Sequence, residues 1–225
     1  MEIMIDSANV KLIKNLNKTL NIAGVTTNPS ILKKDGEQDV LSQLTEIKDF
    51  IHPGSLHVQV VGKSIEQIID DAYAICEKLS KDVYIKIPTN ELGLKAMKQL
   101  KSEGFNITAT AIYSEIQGYY ALNIGADYLA PYFNRMENNG VNPETVIEHL
   151  SAKIHQERLE SKILAASFKN IDQVNRAIQA GSQAITVSPE LLLTGMNSVL
   201  VEQAVDDFQK DWYNKYKSEN LRSYL

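Results

Sequence analysis

A chain of 225 residues, 44% hydrophobic and 23% charged, can bury a large core and belongs with soluble globular proteins, not with disordered or fibrous ones. Its net charge of -5 is spread along the chain with no basic block, which argues against nucleic acid or an anionic membrane as the main partner but leaves room for a small phosphorylated molecule. The single cysteine, Cys76, rules out an intramolecular disulfide and a thiolate zinc cluster and suits a reducing cytoplasm, and neither an export signal nor a membrane-spanning run is expected.

From the N-terminus a short β-like run, a loop and an amphipathic helical pattern recur. Strands are expected at Ile3 to Ser7, Ala23 to Thr27, Leu56 to Val61 and Val83 to Pro88, then at Ile107 to Ile112, Tyr128 to Tyr132, Ile163 to Phe168 and Ala184 to Val187. Helical patterns cover Val10 to Leu20, two pieces between the turn Asn28-Pro29-Ser30 and about Phe50, Ser64 to Leu79 and Leu92 to Glu103. They continue at Ser114 to Ile124, Pro143 to Arg158, Ile171 to Ala180 and the short stretch Pro189 to Leu193. Strict strand-helix alternation, with Gly104, Gly125 and Gly181 where helices end, predicts an α/β fold of one (β/α)8 TIM barrel. No linker or low-complexity segment divides it. The expected organisation is a barrel over 1–198 and a C-terminal helix and tail over 199–225. In that helix, Val201, Ala204, Val205, Phe208, Trp212 and Tyr216 recur at three- and four-residue spacing. Since the barrel is already complete, this stripe packs on the outside of its own barrel or on a neighbouring subunit.

The strand Val83-Tyr84-Ile85-Lys86-Ile87-Pro88 sets a lysine inside an apolar run. Burying an ammonium is costly enough that such a group tends to lose its charge, and a neutral amine is a nucleophile able to form a Schiff base with a carbonyl. Taken alone, a strand lysine is more often an edge or snorkelling residue. Its surroundings decide. Strand side chains alternate between faces, so placing Val83, Ile85 and Ile87 against the helices turns Tyr84 and Lys86 inward. The same count turns inward Asp6, Thr26 and Asn28, His57 and Gln59, Thr108 and Thr110, Tyr132, Ser167, and Thr186 with Ser188. Each has an ordinary alternative: Asp6 as a helix cap, Thr110 bonded to its own backbone, Tyr132 as a core residue with a wet tip. Polar inward residues on all the strands are hard to explain by packing, and together they point to an active-site mouth with Lys86 in it.

These residues resemble the small transaldolase family, and within it the fructose-6-phosphate aldolase branch. The resemblance runs nearly end to end and is carried by Asp6, Ala23-Gly24-Val25-Thr26-Thr27-Asn28-Pro29-Ser30, the Lys86 strand, Thr110-Ala111-Ile112-Tyr113, Ala130-Pro131-Tyr132-Phe133-Asn134-Arg135 and Ala165-Ala166-Ser167-Phe168-Lys169. It implies a Schiff-base aldol mechanism with no metal and no cofactor, on a barrel whose lysine lies on the fourth strand. Carried over, Lys86 attacks the donor ketone, Asp6 and Asn28 hold donor hydroxyls and assist proton movement, and Thr110 and Gln59 position a water used by Tyr132 as acid/base. Thr26 and Ser167 join the donor site, Arg135 fits a substrate phosphate, and Lys169 adds a second charge. A rim salt bridge is the alternative for Arg135.

True transaldolases resembling this chain carry a glutamate at the position of Gln59 and a phenylalanine at that of Tyr132. An amide orients water but cannot shuttle a proton, and the Tyr132 phenol supplies what the amide lacks, which favours aldolase over transaldolase. Thr89-Asn90 and Ser188-Pro189 depart from the family pattern beside the mouth. A sugar-phosphate binding protein without catalysis is a third reading. The resemblance also implies homo-oligomeric rings, pentamers stacked into decamers, with the terminal helix docked on a neighbour.

Overall fold

The computed structural model describes residues 1–35 and 39–225. Eight parallel strands close a barrel in chain order. They are β1 (Glu2–Asp6), β2 (Gly24–Thr26), β3 (Ser55–Gln59), β4 (Tyr84–Pro88), β5 (Asn106–Ile112), β6 (Tyr128–Pro131), β7 (Lys162–Ala165) and β8 (Ala184–Val187), the last returning to β1. The connecting helices are α1 (Val10–Leu16), α2 (Pro29–Asp35), α3 (Val40–Ile51), α4 (Ile65–Lys78), α5 (Glu91–Ser102), α6 (Glu115–Ile124), α7 (Phe133–Asn138), α8 (Pro143–Glu157) and α9 (Ile171–Gln179). This is the (β/α)8 barrel expected from the alternation. Residues 36–38, between the two helical pieces after β2, lie outside the described residues.

Polar side chains just before the helices set where they begin. Asn9, Ser64, Asn90, Asn142 and Asn170 each accept backbone N–H bonds in the first turn of the helix they precede. Asn90, one of the two residues that depart from the family pattern after β4, is thus the N-cap of α5. Gly125 ends α6 at a φ of 81°, a left-handed conformation that costs glycine nothing. Gly24 answers a different demand: a Cβ there would lie 2.5 Å from the Ser55 carbonyl oxygen, so the β2–β3 approach excludes any side chain. The helix α7 departs from expectation. It starts directly off β6 and is six residues long, too short to show a period of its own.

Inside the barrel, Met4, Tyr128, Leu164 and Ala184 form one buried cluster with Ala23 and Tyr84 packed on it. His57 stacks on Tyr84 with ring centroids 4.6 Å apart and meets Tyr128 edge-on. Residues from strands on opposite sides can meet in this way only in the interior. Two residues further along their strands stand Asp6, Gln59, Lys86 and Thr186, the next interior level toward the C-terminal end.

The chain divides into two compact units, Met1–Pro189 and Glu190–Leu225. The second holds nearly all of α10 (Pro189–Met196), the long helix α11 (Val199–Tyr216) and a 3₁₀ turn at Leu221–Tyr224. Within it Trp212 and Tyr216 lie 4.3 Å apart and Tyr224 packs edge-on to both. Val199, Val201, Val205 and Phe208 are exposed.

Candidate active site

Lys86 sits on β4 in register with Gln59 of β3 and Thr108 of β5. It is 4% exposed, and its Nζ donates to the backbone carbonyl of Thr27 at 2.9 Å. Thr27 is itself fixed, its N–H and its hydroxyl both donating to the carbonyl of His57. Burial pushes the Lys86 ammonium below the usual lysine range, while the charge of Asp6 acts against that shift. At Asp6 burial pushes the carboxyl up, opposed by the Lys86 charge and by the Thr26 hydroxyl. Desolvation is the larger influence at both groups, and each group's charge offsets part of the other's shift.

Asp6 does not cap a helix; Asn9 caps α1. Instead Asp6 Oδ1 accepts the Thr26 hydroxyl at 2.6 Å, and Thr26 Oγ1 lies 2.6 Å from Thr186 Oγ1. With the Thr26 proton given to Asp6, Thr186 donates to Thr26, and the three groups form one line across β1, β2 and β8.

On another wall, Thr110 Oγ1 and the Tyr132 hydroxyl are 3.0 Å apart. Tyr132 follows β6 at the N-cap of α7, and burial raises its phenol above the usual range. The guanidinium of Arg135 lies 5.0 Å from the Tyr132 ring centroid and donates to the Tyr113 hydroxyl at 2.9 Å. Tyr113 in turn meets Tyr132 edge-on at 5.6 Å. Arg135 is exposed, and no ion pair to it occurs among the described residues.

Asn28 is half-buried and its Oδ1 accepts the N–H groups of Ser30 and Ile31, so it starts α2 as well as lining the strand end. Ser167, half-buried past β7, adopts a left-handed φ of 65°. Lys169 stands exposed on the following loop, with no described side-chain contact to the other candidates. Thus two groups, Lys86–Asp6–Thr26 and Thr110–Tyr132–Arg135, are assembled by direct contact or charge, and Gln59 is held beside Lys86 by register.

Sequence reasoning gave no role to Thr27 or Tyr113. His57, fully buried, lies 2.9 Å from Ser55 Oγ by Nε2 and 2.8 Å from Thr108 Oγ1 by Nδ1. Burial and then the Lys86 charge hold its pKa well below the ordinary histidine value, so it is a neutral, hydrogen-bonded floor under the lysine level. Among the described residues no group of three or more His, Cys, Asp and Glu side chains is placed to hold a metal ion. Chemically, the arrangement offers an amine of lowered basicity, a carboxyl beside it, a phenol hydrogen-bonded to a hydroxyl, and a cation at the rim.

A family model described as Transaldolase/Fructose-6-phosphate aldolase matches residues 3–221. The chain belongs to that family. A relative of the transaldolase/fructose-6-phosphate aldolase family from Streptococcus pneumoniae (strain ATCC 700669 / Spain 23F-1), described as a probable fructose-6-phosphate aldolase, is 44% identical over 222 residues, spanning 98% of this chain and 100% of the relative. Among solved structures, inosine 5' monophosphate dehydrogenase from Legionella pneumophila matches with a TM-score of 0.59 over 85% of this chain and 58% of that one. At 13% identity that likeness shows the barrel and nothing of the chemistry.

Proposed function

We propose that the protein is a class I aldolase that cleaves fructose 6-phosphate to dihydroxyacetone and glyceraldehyde 3-phosphate, and joins them in reverse, through a Schiff base on Lys86. The observation that carries this reading is the Lys86 amine, buried, held by one carbonyl and lowered in basicity. The neutral amine attacks the C2 ketone and the adduct loses water to give an iminium. Removing the proton of the C4 hydroxyl lets the C3–C4 bond break, its electrons flowing to the iminium nitrogen, and glyceraldehyde 3-phosphate leaves. Protonation of the enamine at C3 and addition of water then release dihydroxyacetone and free the amine.

Asp6 is suited to moving protons at the nitrogen because it shares the lysine's buried surroundings and has the Thr26 hydroxyl on one oxygen. Tyr132, hydrogen-bonded to Thr110, is the acid/base toward the acceptor oxygen, with a water oriented by Thr110 and Gln59. Asn28 meets donor hydroxyls with its amide nitrogen, since its oxygen is committed to α2. Ser167 joins the donor site, and Arg135 with Lys169 receives the phosphate. The 44% identical relative, described as a probable fructose-6-phosphate aldolase, supports aldolase, as do Gln59 and Tyr132.

The exposed apolar side chains of α11 favour docking on a neighbouring copy, in a homo-oligomer such as a pentamer or decamer, and a cytoplasmic setting suits the free Cys76. No helix among the described residues is long and apolar enough to cross a membrane.

Purified protein incubated with fructose 6-phosphate alone is expected to release free dihydroxyacetone. Turnover only after erythrose 4-phosphate is added would make it a transaldolase instead. Borohydride reduction with dihydroxyacetone is expected to add mass to the peptide containing Lys86, and Lys86→Arg to abolish both the adduct and turnover. A wild-type protein that traps nothing and turns over nothing would be a binding protein.

A further inference from the structure

The two cations assigned to the substrate phosphate sit on separate segments: Arg135 on α7, after β6, and Lys169 on the loop between β7 and α9. One side chain bonds to both segments. Gln173, in the first turn of α9, is 5% exposed. Its Oε1 accepts the backbone N–H of Lys169 at 2.7 Å. Its Nε2 donates to Asn134 Oδ1 at 3.0 Å and to Glu137 Oε2 at 2.5 Å, residues on either side of Arg135 in α7. Both amide hydrogens are therefore used, and the oxygen as well. The far ends are fixed too. Asn134 N–H donates to the Ser167 carbonyl, and Glu137 pairs with Arg176, whose guanidinium lies over the Phe133 ring. A buried amide with both hydrogens and its oxygen engaged is costly to move, so it holds the two segments at a fixed spacing.

We infer that Gln173 is a positioning residue that sets the separation and aim of Arg135 and Lys169, and so fixes the enzyme's preference for a phosphorylated acceptor. This rests on the reading that those two cations receive the phosphate. Gln173 is buried and acts through other groups. It acts by holding the Lys169 backbone against α7, while the Tyr113 hydroxyl accepts from the tip of Arg135. Two charges must reach different oxygens of one anion, and a shift of either segment loosens one contact without touching the lysine level of the barrel.

The test compares glyceraldehyde 3-phosphate with unphosphorylated glyceraldehyde as acceptors for dihydroxyacetone, in the wild type, Arg135→Gln and Gln173→Leu. Gln173→Leu is expected to raise KM for the phosphorylated acceptor about tenfold, the loss of one well-placed charged contact, and to change KM for glyceraldehyde by less than about twofold. Parallel change in both KM values, or no change in a folded variant, would overturn the inference. If Gln173→Leu does not fold, Asn134→Ala removes one of the two Gln173 bonds to α7, leaving the one to Glu137, and is expected to raise KM for the phosphorylated acceptor alone by a smaller factor. A wild type with no preference for the phosphorylated acceptor overturns the phosphate reading and this inference with it. If Arg135→Gln loses the preference and the Gln173 and Asn134 variants keep it, the inference alone fails.

Discussion

Replacing Tyr132 with phenylalanine separates its chemistry from its packing. The ring stays between the Tyr113 edge and the Arg135 guanidinium, contacts that do not involve the hydroxyl. What is removed is one hydrogen bond, 3.0 Å to Thr110, and the phenol that faces that hydroxyl. The bond accounts for about 1 kcal/mol of folding stability. A general acid/base accounts for about 10²–10⁴ in rate, or about 3 to 5 kcal/mol of barrier. Tyr132→Phe should therefore lower kcat for fructose 6-phosphate cleavage at least about a hundredfold, with a small change in stability. The assay follows glyceraldehyde 3-phosphate release with a coupled dehydrogenase, alongside borohydride trapping of dihydroxyacetone on Lys86. Trapping should persist, since the imine forms at the opposite group. A kcat loss below about tenfold, or trapping lost in the same proportion as turnover, would refute Tyr132 as the acid/base toward the acceptor.

Asp6→Asn removes the charge that raises the Lys86 pKa, leaving burial to act alone. The amine is then neutral at lower pH, so the acid limb of the trapping rate should move to lower pH even as turnover falls; a limb that stays put or moves up refutes the coupling. Gly24→Ala forces a methyl to within 2.5 Å of the Ser55 carbonyl oxygen, and urea unfolding should show a loss of about 1–3 kcal/mol. Deleting residues 199–225 should reduce the assembly size seen by sedimentation, and an unchanged size would remove α11 from the interface.

The barrel was legible because strand and helix patterns alternate without a break, and the lysine level because β1, β3, β4 and β8 run regularly enough for parity to hold. Parity fails on β5. There Ala109 pairs with Leu129 and Ile112 with Pro131, three steps against two, with Ala111 at a φ of 56°. That bulge breaks the alternation before Tyr113 reaches Tyr132, which is why strand parity gives Tyr113 no place in the site. Gln173 was hidden for another reason: its α7 partners are 39 and 36 residues away, and an amide in a helix's first turn has ordinary local uses. The family resemblance supplied the roles of Asn28, Ser167 and Lys169, which no periodicity could assign.

Thr27 contributes a carbonyl, and a carbonyl is the same whatever side chain bears it. In the proposed Schiff-base cycle, the nitrogen that donates to it carries two hydrogens as a free amine and one each as carbinolamine, iminium and enamine, never none. A single acceptor at 2.9 Å therefore suffices as a tether for the whole cycle, with no need for the nitrogen to let go while its bonding changes. The reacting carbon can then be exchanged around an atom that stays where it is.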